Sequence, residues 1–354
     1  MQMTQITLPS HASVVVIGGG IMGSSTLYHL AKMGVGDAIL LERNQLTSGT
    51  TWHSAAQVRA LRHSQNLTRM IQYSVDLYSQ LETETGQNVG WIQKGSLSIA
   101  TTPDRLIHVK RQEALAHAYG IEAQSISAGE ATEIWPLMNA EDVLGAVWSP
   151  NDGRVSPSDV CAALVKAARG LGAKLFEKTG VTGILTENGR IKGVETTQGT
   201  VMCEAIALCT GLWSREVGAM AGAEVPVLAC EHFYLLTKPI DGITGNMPTL
   251  SDHDSQLYIR DDSGGLLVGC FEPIGKPIAP GILDETFEFG LLPEDWDHFE
   301  PMMMNALHRL PPLETAEVKM LLNGPESFTP DGTFMLGETA ETKGLFLGCG
   351  MNSV

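Results

Sequence analysis

The segment Ser13-Val-Val-Val-Ile-Gly-Gly-Gly-Ile-Met-Gly23 decides the fold of this chain. Its β-branched start shows no polar alternation, which is typical of a strand buried on both faces in a parallel sheet. Gly18, Gly20 and Gly23 follow at G-x-G-x-x-G spacing, and the residues from Ser24 to Met33 have the apolar spacing of a helix. The pattern therefore predicts a strand, a tight turn and a helix, which is the start of a dinucleotide-binding unit.

An acidic residue follows at the distance that this unit requires. A second apolar run, Ala38 to Leu41, ends at Glu42, 19 residues after Gly23. The glycines allow a pyrophosphate to approach the backbone at the helix N-terminus, and a carboxylate at this distance accepts hydrogen bonds from ribose hydroxyls. Glu42 would repel a 2′-phosphate, although Arg43 beside it leaves that alternative open. The motif predicts a dinucleotide site and does not separate NAD from FAD.

Composition and charge limit the classes of protein that this chain can belong to. Its 354 residues, 43% hydrophobic and 18% charged, predict a globular protein of two interleaved domains. The net charge of −17 argues against a nucleic-acid partner. No apolar run is long enough to span a bilayer, and Met1 to His11 resembles neither a secretory signal nor a mitochondrial presequence. We therefore expect a cytoplasmic, bacterial-type protein with no membrane partner.

The cysteines show no pattern of a metal or redox site. They form no C-x-x-C pair and no Cys/His cluster with metal-ligand spacing. Most lie in apolar stretches, so we expect buried, reduced thiols and no bound metal. The six are Cys161, Cys203, Cys209, Cys230, Cys270 and Cys349.

Periodicity predicts further elements along the chain. Helices are expected at 67–83, 105–119 and 158–171, and the segment from Asp284 to Leu310 is expected to be mainly helical. Short strands are expected near 96–100, 174–176, 181–185, 193–196 and 201–208, with alternating strands at 227–237 and 256–271.

The loop after Glu42 contains the segment Ser48-Gly-Thr-Thr-Trp-His53. Read alone, its histidine would be a surface or capping residue and its threonines would be turn residues. Other unusual segments accompany this loop along nearly the whole chain. They are Gly90-Trp-Ile-Gln-Lys-Gly-Ser-Leu97, Trp135-Pro-Leu-Met-Asn139, Asp152-Gly153, Cys209-Thr-Gly-Leu-Trp-Ser214, Asp252-His-Asp254, Leu257-Tyr-Ile-Arg260, Gly324-Pro-Glu-Ser-Phe-Thr-Pro-Asp331 and Phe346-Leu-Gly-Cys-Gly-Met-Asn352.

On these segments the sequence resembles the dimethylglycine dehydrogenase and sarcosine dehydrogenase family of D-amino-acid-oxidase-like flavoproteins. The Asp252-His-Asp254 and Gly324 to Asp331 segments are more similar to sarcosine dehydrogenase. The resemblance implies an α/β fold in which a Rossmann-like FAD-binding domain, of the two-dinucleotide-fold type, interleaves with an α+β substrate domain on an antiparallel sheet. We expect residues 1–66, 145–225 and 320–354 in the first domain and residues 67–144 and 226–319 in the second.

The resemblance also implies that the dinucleotide is FAD and that His53 carries a covalent bond to the flavin 8α carbon. Some relatives in the wider superfamily hold FAD without such a bond, so an unlinked histidine stays an alternative. The cofactor-binding residues implied by the motifs and the resemblance are Gly18, Gly20, Ile21, Met22, Gly23, Glu42, Arg43, Ser48, Gly49, Thr50, Thr51, Trp52, His53, Val181, Thr210, Gly211, Trp213, Gly324, Thr329, Asp331, Gly348 and Gly350.

Three residues are candidates for contact with a substrate. His232 lies in the strand-like run Glu231 to Thr237, where a buried structural histidine would be the ordinary interpretation. The resemblance makes it a base or polar anchor that faces the flavin, and it makes Tyr258 a substrate-site residue. Arg260 shares the side of Tyr258, and it either binds a substrate carboxylate or pairs with an acid such as Asp252 or Asp254.

The function implied is oxidative N-demethylation of a small N-methyl amine, sarcosine or dimethylglycine, by hydride transfer to FAD. The electron acceptor is expected to be a protein similar to electron-transfer flavoprotein, or oxygen. We expect the chain to be an N-terminal fragment, with tetrahydrofolate used only through a C-terminal domain beyond Val354. Open alternatives are oxidation of another amine, a non-catalytic homologue resembling the pyruvate dehydrogenase phosphatase regulatory subunit, and an NAD-dependent dehydrogenase.

Overall fold

The computed structural model describes residues 7–279 and 281–352. Its helices are α1 (Ile21–Lys32), α2 (Gln65–Thr85), α3 (Pro103–Tyr119), α4 (Ala128–Ile134), α5 (Pro157–Gly170), α6 (Ser214–Ala219) and α7 (Trp296–Arg309). Short 3-10 turns lie at Thr51–His53, Gly211–Trp213 and Pro311–Glu314.

The strands run through the whole described chain. They are β1 (His11–Ile17), β2 (Ile39–Leu41), β3 (Gln57–Val58), β4 (Ser96–Ala100), β5 (Gln124–Ile126), β6 (Gly145–Ser149), β7 (Gly153–Arg154), β8 (Lys174–Phe176), β9 (Val181–Glu187), β10 (Arg190–Thr196), β11 (Gly199–Leu208), β12 (Leu228–Thr237), β13 (Thr249–Asp252), β14 (Leu257–Asp262), β15 (Gly265–Cys270), β16 (Lys276–Pro277), β17 (Val318–Phe328), β18 (Met335–Glu338) and β19 (Leu345–Cys349).

The first sheet is built around β1. Its main path runs β18-β19-β11-β1-β2-β8, and β10 and β9 extend from β11 as antiparallel strands. β1 pairs in parallel with β11 on one side and with β2 on the other. Val15 and Val16 have no exposed surface, which confirms the prediction of a strand buried on both faces.

Helix α1 covers this sheet and begins where the glycine turn ends. Its N-terminus after Gly20 has no side-chain cap, so its first backbone N–H groups are left for other partners. Gly23 must be glycine because a Cβ there would collide with the carbonyl oxygen of Gly18. The buried side chains of Leu27 and Tyr28 pack in one apolar cluster with Leu164 of α5.

The second sheet is larger and mostly antiparallel. Its order is β16-β12-β15-β14-β13-β4-β6-β5, and the long strand β17 pairs with the free side of β12. One face carries Phe233, Leu235 and Ile259 and packs with Phe299 of α7 in the largest apolar core. The opposite face carries Tyr234, Tyr258 and Leu322 in a smaller cluster. Because side chains alternate along a strand, His232 lies on this second face, two residues from Tyr234.

The α/β fold predicted from the sequence is confirmed, but three segments depart from the predicted division. β6 was expected in the first domain, yet it pairs with β4 and β5 of the second sheet. Most of β17 was expected there too, yet it pairs with β12. α2 was expected in the second domain, yet its Leu81 packs with Leu27 and Leu164 over the first sheet. Local periodicity defines an element, whereas its place in a sheet depends on long-range pairing.

Most predicted elements are confirmed, and β4 and β8 have the expected bounds. The prediction that Asp284 to Leu310 is mainly helical was wrong for its first part, because α7 begins only at Trp296. The preceding residues form turns that Asp284 holds by accepting hydrogen bonds from the backbone and hydroxyl of Thr286. Among the described residues, no helix is long and apolar enough to cross a membrane.

Candidate active site

The glycine turn between β1 and α1 forms a narrow backbone cradle. Gly18 has φ of 108°, in the left-handed region that favours glycine, and a Cβ on it would collide with the carbonyl of Cys209 after β11. The backbone N–H of Gly19 donates to Oε2 of Glu42 at 2.6 Å. The N–H of Ile21, in the first turn of α1, donates to Oγ1 of Thr51 at 3.1 Å. The turn therefore places backbone N–H groups at a helix N-terminus, where an anionic ligand is favoured, and two of these groups are bonded to Glu42 and Thr51.

Glu42 is buried at the end of β2, where the sequence predicted a ribose-binding acid. Its second oxygen, Oε1, accepts the N–H of Asn44 at 2.8 Å. Burial raises the pKa of this carboxyl, although the hydrogen bonds from Asn44 and Gly19 oppose the change. Arg43 lies beside it with its guanidinium 4.0 Å from the ring of Trp213.

His53 lies at the end of the 3-10 turn that follows this cradle. The ring is buried, and its Nε2 has no hydrogen-bond partner among the described residues. The ring packs against Gly324 of β17, where an added Cβ would come within 2.5 Å of its Cε1. Burial lowers the pKa of His53 to about 4, and nearby His232 adds a smaller effect in the same direction. The imidazole is therefore neutral at physiological pH.

His232 lies on β12, where it is the register partner of Gly324 on β17. Its Nδ1 lies 2.8 Å from Oε2 of Glu272, and its Nε2 lies 3.7 Å from Oε2 of Glu326. Burial disfavours the imidazolium, but the hydrogen bond to Glu272 and the charges of both carboxylates outweigh it and raise the pKa of His232. The sequence had not identified either glutamate, because neither is near His232 along the chain.

Tyr258 completes this face of the second sheet. Its hydroxyl lies 3.3 Å from Nε2 of His232, and its ring covers Gly269 on the neighbouring strand. Burial raises the pKa of the Tyr258 hydroxyl well above its ordinary value, so the phenol stays protonated. A cavity of about 310 Å³ opens beside this group. Its lining is formed by Cys230, Glu231, His232, Phe271, Glu272, Gly275, Phe328 and Asn352.

Arg260 is held by neighbours that the sequence did not predict. Its Nε donates to the carbonyl of Ala55 at 2.9 Å, and its Nη1 lies 2.9 Å from Oδ2 of Asp262. The acids considered earlier have other partners: Asp252 pairs with Arg309 and Asp254 pairs with Arg105. Arg260 thus pairs with an acid, as one of its two alternatives held, but the acid is Asp262 and not Asp252 or Asp254.

Arg59 is a second arginine near this face, and sequence reasoning missed it. Its Nη1 donates to the hydroxyl of Ser251 on β13. Ser251 is the register partner of Tyr258, so its side chain, which Arg59 contacts, lies on the face of the sheet that carries Tyr258. Burial lowers the pKa of Arg59, and the charge of Asp152 opposes that change. A segment that starts with Gln57 in β3 brings it there, which no local pattern reveals.

The remaining predicted cofactor residues lie at five places in the fold. Ile21 and Met22 open α1, and Gly348 on β19 approaches Met22, since a Cβ there would lie 3.4 Å from its Cε. Ser48, Gly49 and Thr50 line the turn before His53, and Thr50 donates to the carbonyl of Pro325 at 3.1 Å. Val181 starts β9, Thr210 and Gly211 follow β11, and Thr329, Asp331 and Gly350 meet around Asn352 near the end of the described chain.

A segment between β16 and α7 crosses over the loop after Glu42. The indole of Trp213 donates to the carbonyl of Leu283 at 2.9 Å, and the N–H of Phe289 donates to the carbonyl of Ser48 at 2.9 Å. The ring of Phe289 also meets Trp52 edge to face. The loop that carries the predicted cofactor residues is therefore covered from outside.

Buried polar atoms without partners test whether this region fits a dinucleotide. Three such atoms of the described residues lie in the loop after Glu42: Nη2 of Arg43, Nε1 of Trp52 and Nε2 of His53. Buried polar groups in a native protein are normally satisfied, so an unpaired set in one loop indicates a missing ligand. The glycine turn is bonded to this loop through Ile21 and Thr51. The loop ends at His53, which packs against the face that carries His232 and Tyr258. The residues present therefore fit an extended dinucleotide whose far end reaches the second sheet.

This fold and site define a dinucleotide-binding oxidoreductase. The family described as FAD dependent oxidoreductase matches residues 13–354, and the chain belongs to it. The fold resembles the crystal structure of L-proline dehydrogenase from P. horikoshii, with a TM-score of 0.86 and 27% identity over 98% of this chain and 89% of that one. FAD is accordingly the dinucleotide of the site.

Individual relatives narrow the branch of the family and confirm the resemblance found in the sequence. Mouse mitochondrial sarcosine dehydrogenase is 44% identical over 98% of this chain and 38% of its own length. The mouse mitochondrial pyruvate dehydrogenase phosphatase regulatory subunit is 44% identical over 98% and 40%. The formaldehyde-forming 4-methylaminobutanoate oxidase of Paenarthrobacter nicotinovorans is 40% identical over 98% and 42%. The chain thus spans about two fifths of the length of these relatives.

Proposed function

We propose that this chain is the FAD-binding and amine-oxidising part of an enzyme that oxidatively N-demethylates a small N-methyl amino acid, such as sarcosine or dimethylglycine. The observation that carries the proposal is the convergence of His53, His232 and Tyr258 on one face of the second sheet. Bound FAD would supply the hydride acceptor. The similarity to sarcosine dehydrogenase and to 4-methylaminobutanoate oxidase supports the substrate class.

His232 has the surroundings of a proton acceptor. An amine loses hydride from carbon only when its nitrogen lone pair is free, so the ammonium form of the substrate must first lose a proton. Nε2 of His232 faces the hydroxyl of Tyr258 beside the cavity, and Glu272 and Glu326 favour a positive charge on the ring. In this proposal His232 takes the proton, and Tyr258 orients the nitrogen through its hydroxyl.

Arg59 is the better placed cation for a substrate carboxylate. The guanidinium of Arg260 is occupied by Asp262 and by two carbonyl groups, whereas Arg59, among the described residues, donates to the hydroxyl of Ser251 and is attracted by the charge of Asp152. A planar guanidinium binds a carboxylate through two parallel hydrogen bonds. An Arg59→Lys variant would keep the positive charge and lose this geometry. Its KM for an N-methyl amino acid should therefore rise, while binding of an amine that has no carboxylate should not change.

His53 has the properties of a flavin attachment site. Its imidazole is neutral because burial lowers the pKa to about 4, and Nε2 has no hydrogen-bond partner among the described residues. A neutral ring nitrogen is the form that can bond to an electrophilic carbon of the cofactor. We propose that FAD is linked through His53, and that loss of this bond in His53→Ala leaves FAD bound but extractable by acid.

The test is dye reduction by the purified, FAD-loaded protein with sarcosine, dimethylglycine, 4-methylaminobutanoate and a non-methylated control such as glycine. The proposal expects turnover of at least one N-methyl amine, with formaldehyde as product when folate is absent. Oxygen consumption measured in parallel separates an oxidase from a dehydrogenase that passes electrons to a protein acceptor. Turnover of no N-methyl amine would overturn the proposal.

A second candidate function is a non-catalytic regulatory subunit. The observation that favours it is the 44% identity to the pyruvate dehydrogenase phosphatase regulatory subunit, equal to that to sarcosine dehydrogenase. Such a subunit needs no proton acceptor beside the flavin, and its His232→Gln variant should bind partners as the wild type does. A protein that turns over no amine and instead changes the activity of a phosphatase would establish this candidate. The use of tetrahydrofolate and the cytoplasmic location of the protein stay predictions.

A further inference from the structure

Glu272 contacts β12 at two points from just beyond the end of β15. Its Oε1 accepts the backbone N–H of Phe233 at 2.9 Å, and its Oε2 lies 2.8 Å from Nδ1 of His232. The pairing of β12 with β15 ends at Tyr234 and Gly269, so this carboxylate supplies the next acceptor along β12. Its side chain is only 6% exposed. The bond to the backbone therefore holds the Glu272 carboxylate in place independently of its contact with the imidazole.

A fixed carboxylate determines which ring nitrogen of His232 carries the proton. Oε2 can only accept, so Nδ1 must donate, and Nε2 is left toward the hydroxyl of Tyr258. We propose that Glu272 is the positioning residue of this site, which holds a proton on Nδ1 of His232 and presents Nε2 as the nitrogen that exchanges a proton with the amine. The inference rests on the proposed function.

The proposed step is a single proton transfer without redox change. The N–H bond of the substrate ammonium breaks, an Nε2–H bond forms, and the substrate amine keeps the electron pair. His232 becomes an imidazolium whose charge is paired with the Glu272 carboxylate. Such a carboxylate behind an imidazole orients the ring and stabilises the positive charge that forms.

The titratable groups that face His232 come from four elements. Glu272 lies beyond β15, Glu326 lies on β17, Tyr258 lies on β14, and His53 ends the 3-10 turn. Tyr258 and His53 are neutral because burial raises the pKa of the phenol and lowers the pKa of the imidazole. The carboxylates thus decide the charge of His232, and of these two described carboxylates Glu272 is the one within hydrogen-bond distance of a ring nitrogen of His232.

The deciding variant is Glu272→Gln in the FAD-loaded protein. If its carbonyl oxygen keeps the N–H of Phe233, its amide N–H₂ faces Nδ1, so Nδ1 must accept and the proton moves to Nε2. We expect kcat/KM at pH 7 to fall by about 10- to 100-fold, the range typical of partners that orient an essential histidine. We also expect the acid limb of the pH profile to move to lower pH, because the charge that favours the imidazolium is gone. Glu272→Asp should recover part of both effects.

Glu317→Gln is the matched control. Its removal changes the net charge equally, but Glu317 is exposed just before β17, where its carboxylate pairs with Lys238 rather than with His232. We expect less than about a twofold change in kcat/KM, since an exposed charge outside the hydrogen-bond network has a small effect. An equal loss in both variants would mean that net charge, and not the position of Glu272, controls the reaction, and would overturn the inference.

Nitrogen NMR of protein labelled in histidine gives a measurement independent of turnover. The inference predicts Nδ1–H for neutral His232 in the wild type and Nε2–H in Glu272→Gln. Nε2–H in the wild type would overturn it even if the variant does not fold. If no N-methyl amine is oxidised, the proposed function fails, whereas the tautomer measurement still decides the role of Glu272.

Discussion

His53 and His232 lie on the same face of the second sheet, yet their surroundings act on them in opposite directions. Both rings are buried, and His53 packs over Gly324, the register partner of His232. Burial is the largest effect on His53 and lowers its pKa to about 4. Burial also acts against the charged form of His232, but the hydrogen bond to Glu272 and the charges of Glu326 and Glu272 raise its pKa. The difference is made by carboxylates, not by depth.

This difference separates two tasks that one residue type can perform. A neutral imidazole with an unpaired nitrogen can bond to a cofactor, and an imidazole backed by a carboxylate can take and hold a proton. Gly324 on β17 is the register partner of His232 and has no side chain. The ring of His53 therefore fits beside the ring of His232. Changes at either histidine, or at the residues that hold it, test that separation.

The largest effect is expected from His232→Gln. Removing the proton acceptor should lower kcat/KM by about 10²- to 10⁴-fold, the usual contribution of general acid–base catalysis. The FAD content should stay unchanged, because His53 and the glycine cradle are intact. Stopped-flow reduction of the bound flavin by the best amine gives the rate. His63→Gln, at an exposed histidine, is the control, and a rate within threefold of the wild type in His232→Gln would remove His232 from the chemistry.

Gly324→Ala should disturb the other histidine. The added Cβ would come within 2.5 Å of Cε1 and 2.7 Å of Nδ1 of His53, so the ring or β17 must move. Overpacking of this kind costs about 1–3 kcal/mol, and displacement of the ring should reduce acid-stable flavin about tenfold or more. Absorbance of the acid-precipitated protein measures this. Gly170→Ala, where an added methyl meets nothing within 4 Å, should keep full attachment.

The lowered pKa of His53 predicts a pH dependence of stability in the flavin-free protein. Between pH about 6.5 and 4 the unfolded chain protonates this histidine and the folded chain does not, so its contribution is lost as the pH falls through that window. At pH 5 the loss should be about 2 kcal/mol. Urea unfolding of wild type and His53→Gln at pH 7 and pH 5 isolates it, because all other groups are shared. Equal losses in both proteins would contradict the assignment.

The smallest effect is expected from Thr50→Val. The hydroxyl of Thr50 donates to the carbonyl of Pro325 at 3.1 Å and ties the turn that carries His53 to β17. Its loss should cost about 0.5–1.5 kcal/mol of unfolding free energy and slow flavin attachment a few-fold, while leaving the pH profile of turnover unchanged. A shifted pH profile would mean that the turn also positions His232.

The parts that the sequence predicted correctly are those encoded over short distances. The buried strand at 13–17, the glycine spacing and the position of Glu42 follow from local pattern, and the structure confirms that strand and the fold. The segment from Ser48 to His53 was found through its unusual residues and the family resemblance. Roles assigned to individual residues of that segment stay predictions.

The parts that were missed depend on pairing between distant strands. Glu272 and Glu326 reach His232 only because β12 lies between β15 and β17, and Arg59 reaches the row of Tyr258 only through Ser251 on β13. The sequence within a few residues of each of these side chains does not predict such contacts. The partner of Arg260 and the turns before Trp296 depend instead on local contacts, since Asp262 lies two residues from Arg260 and Asp284 bonds Thr286 two residues further on.

The most direct test is a pH titration of the histidine ring nitrogens by NMR in the flavin-free protein, with His53→Gln and His232→Gln spectra to assign the signals. We expect His232 to titrate above its ordinary value of 6.5 and His53 to titrate near 4. Titration of both histidines at the same pH, or of His53 above His232, would contradict the separation of roles on which the proposed chemistry depends.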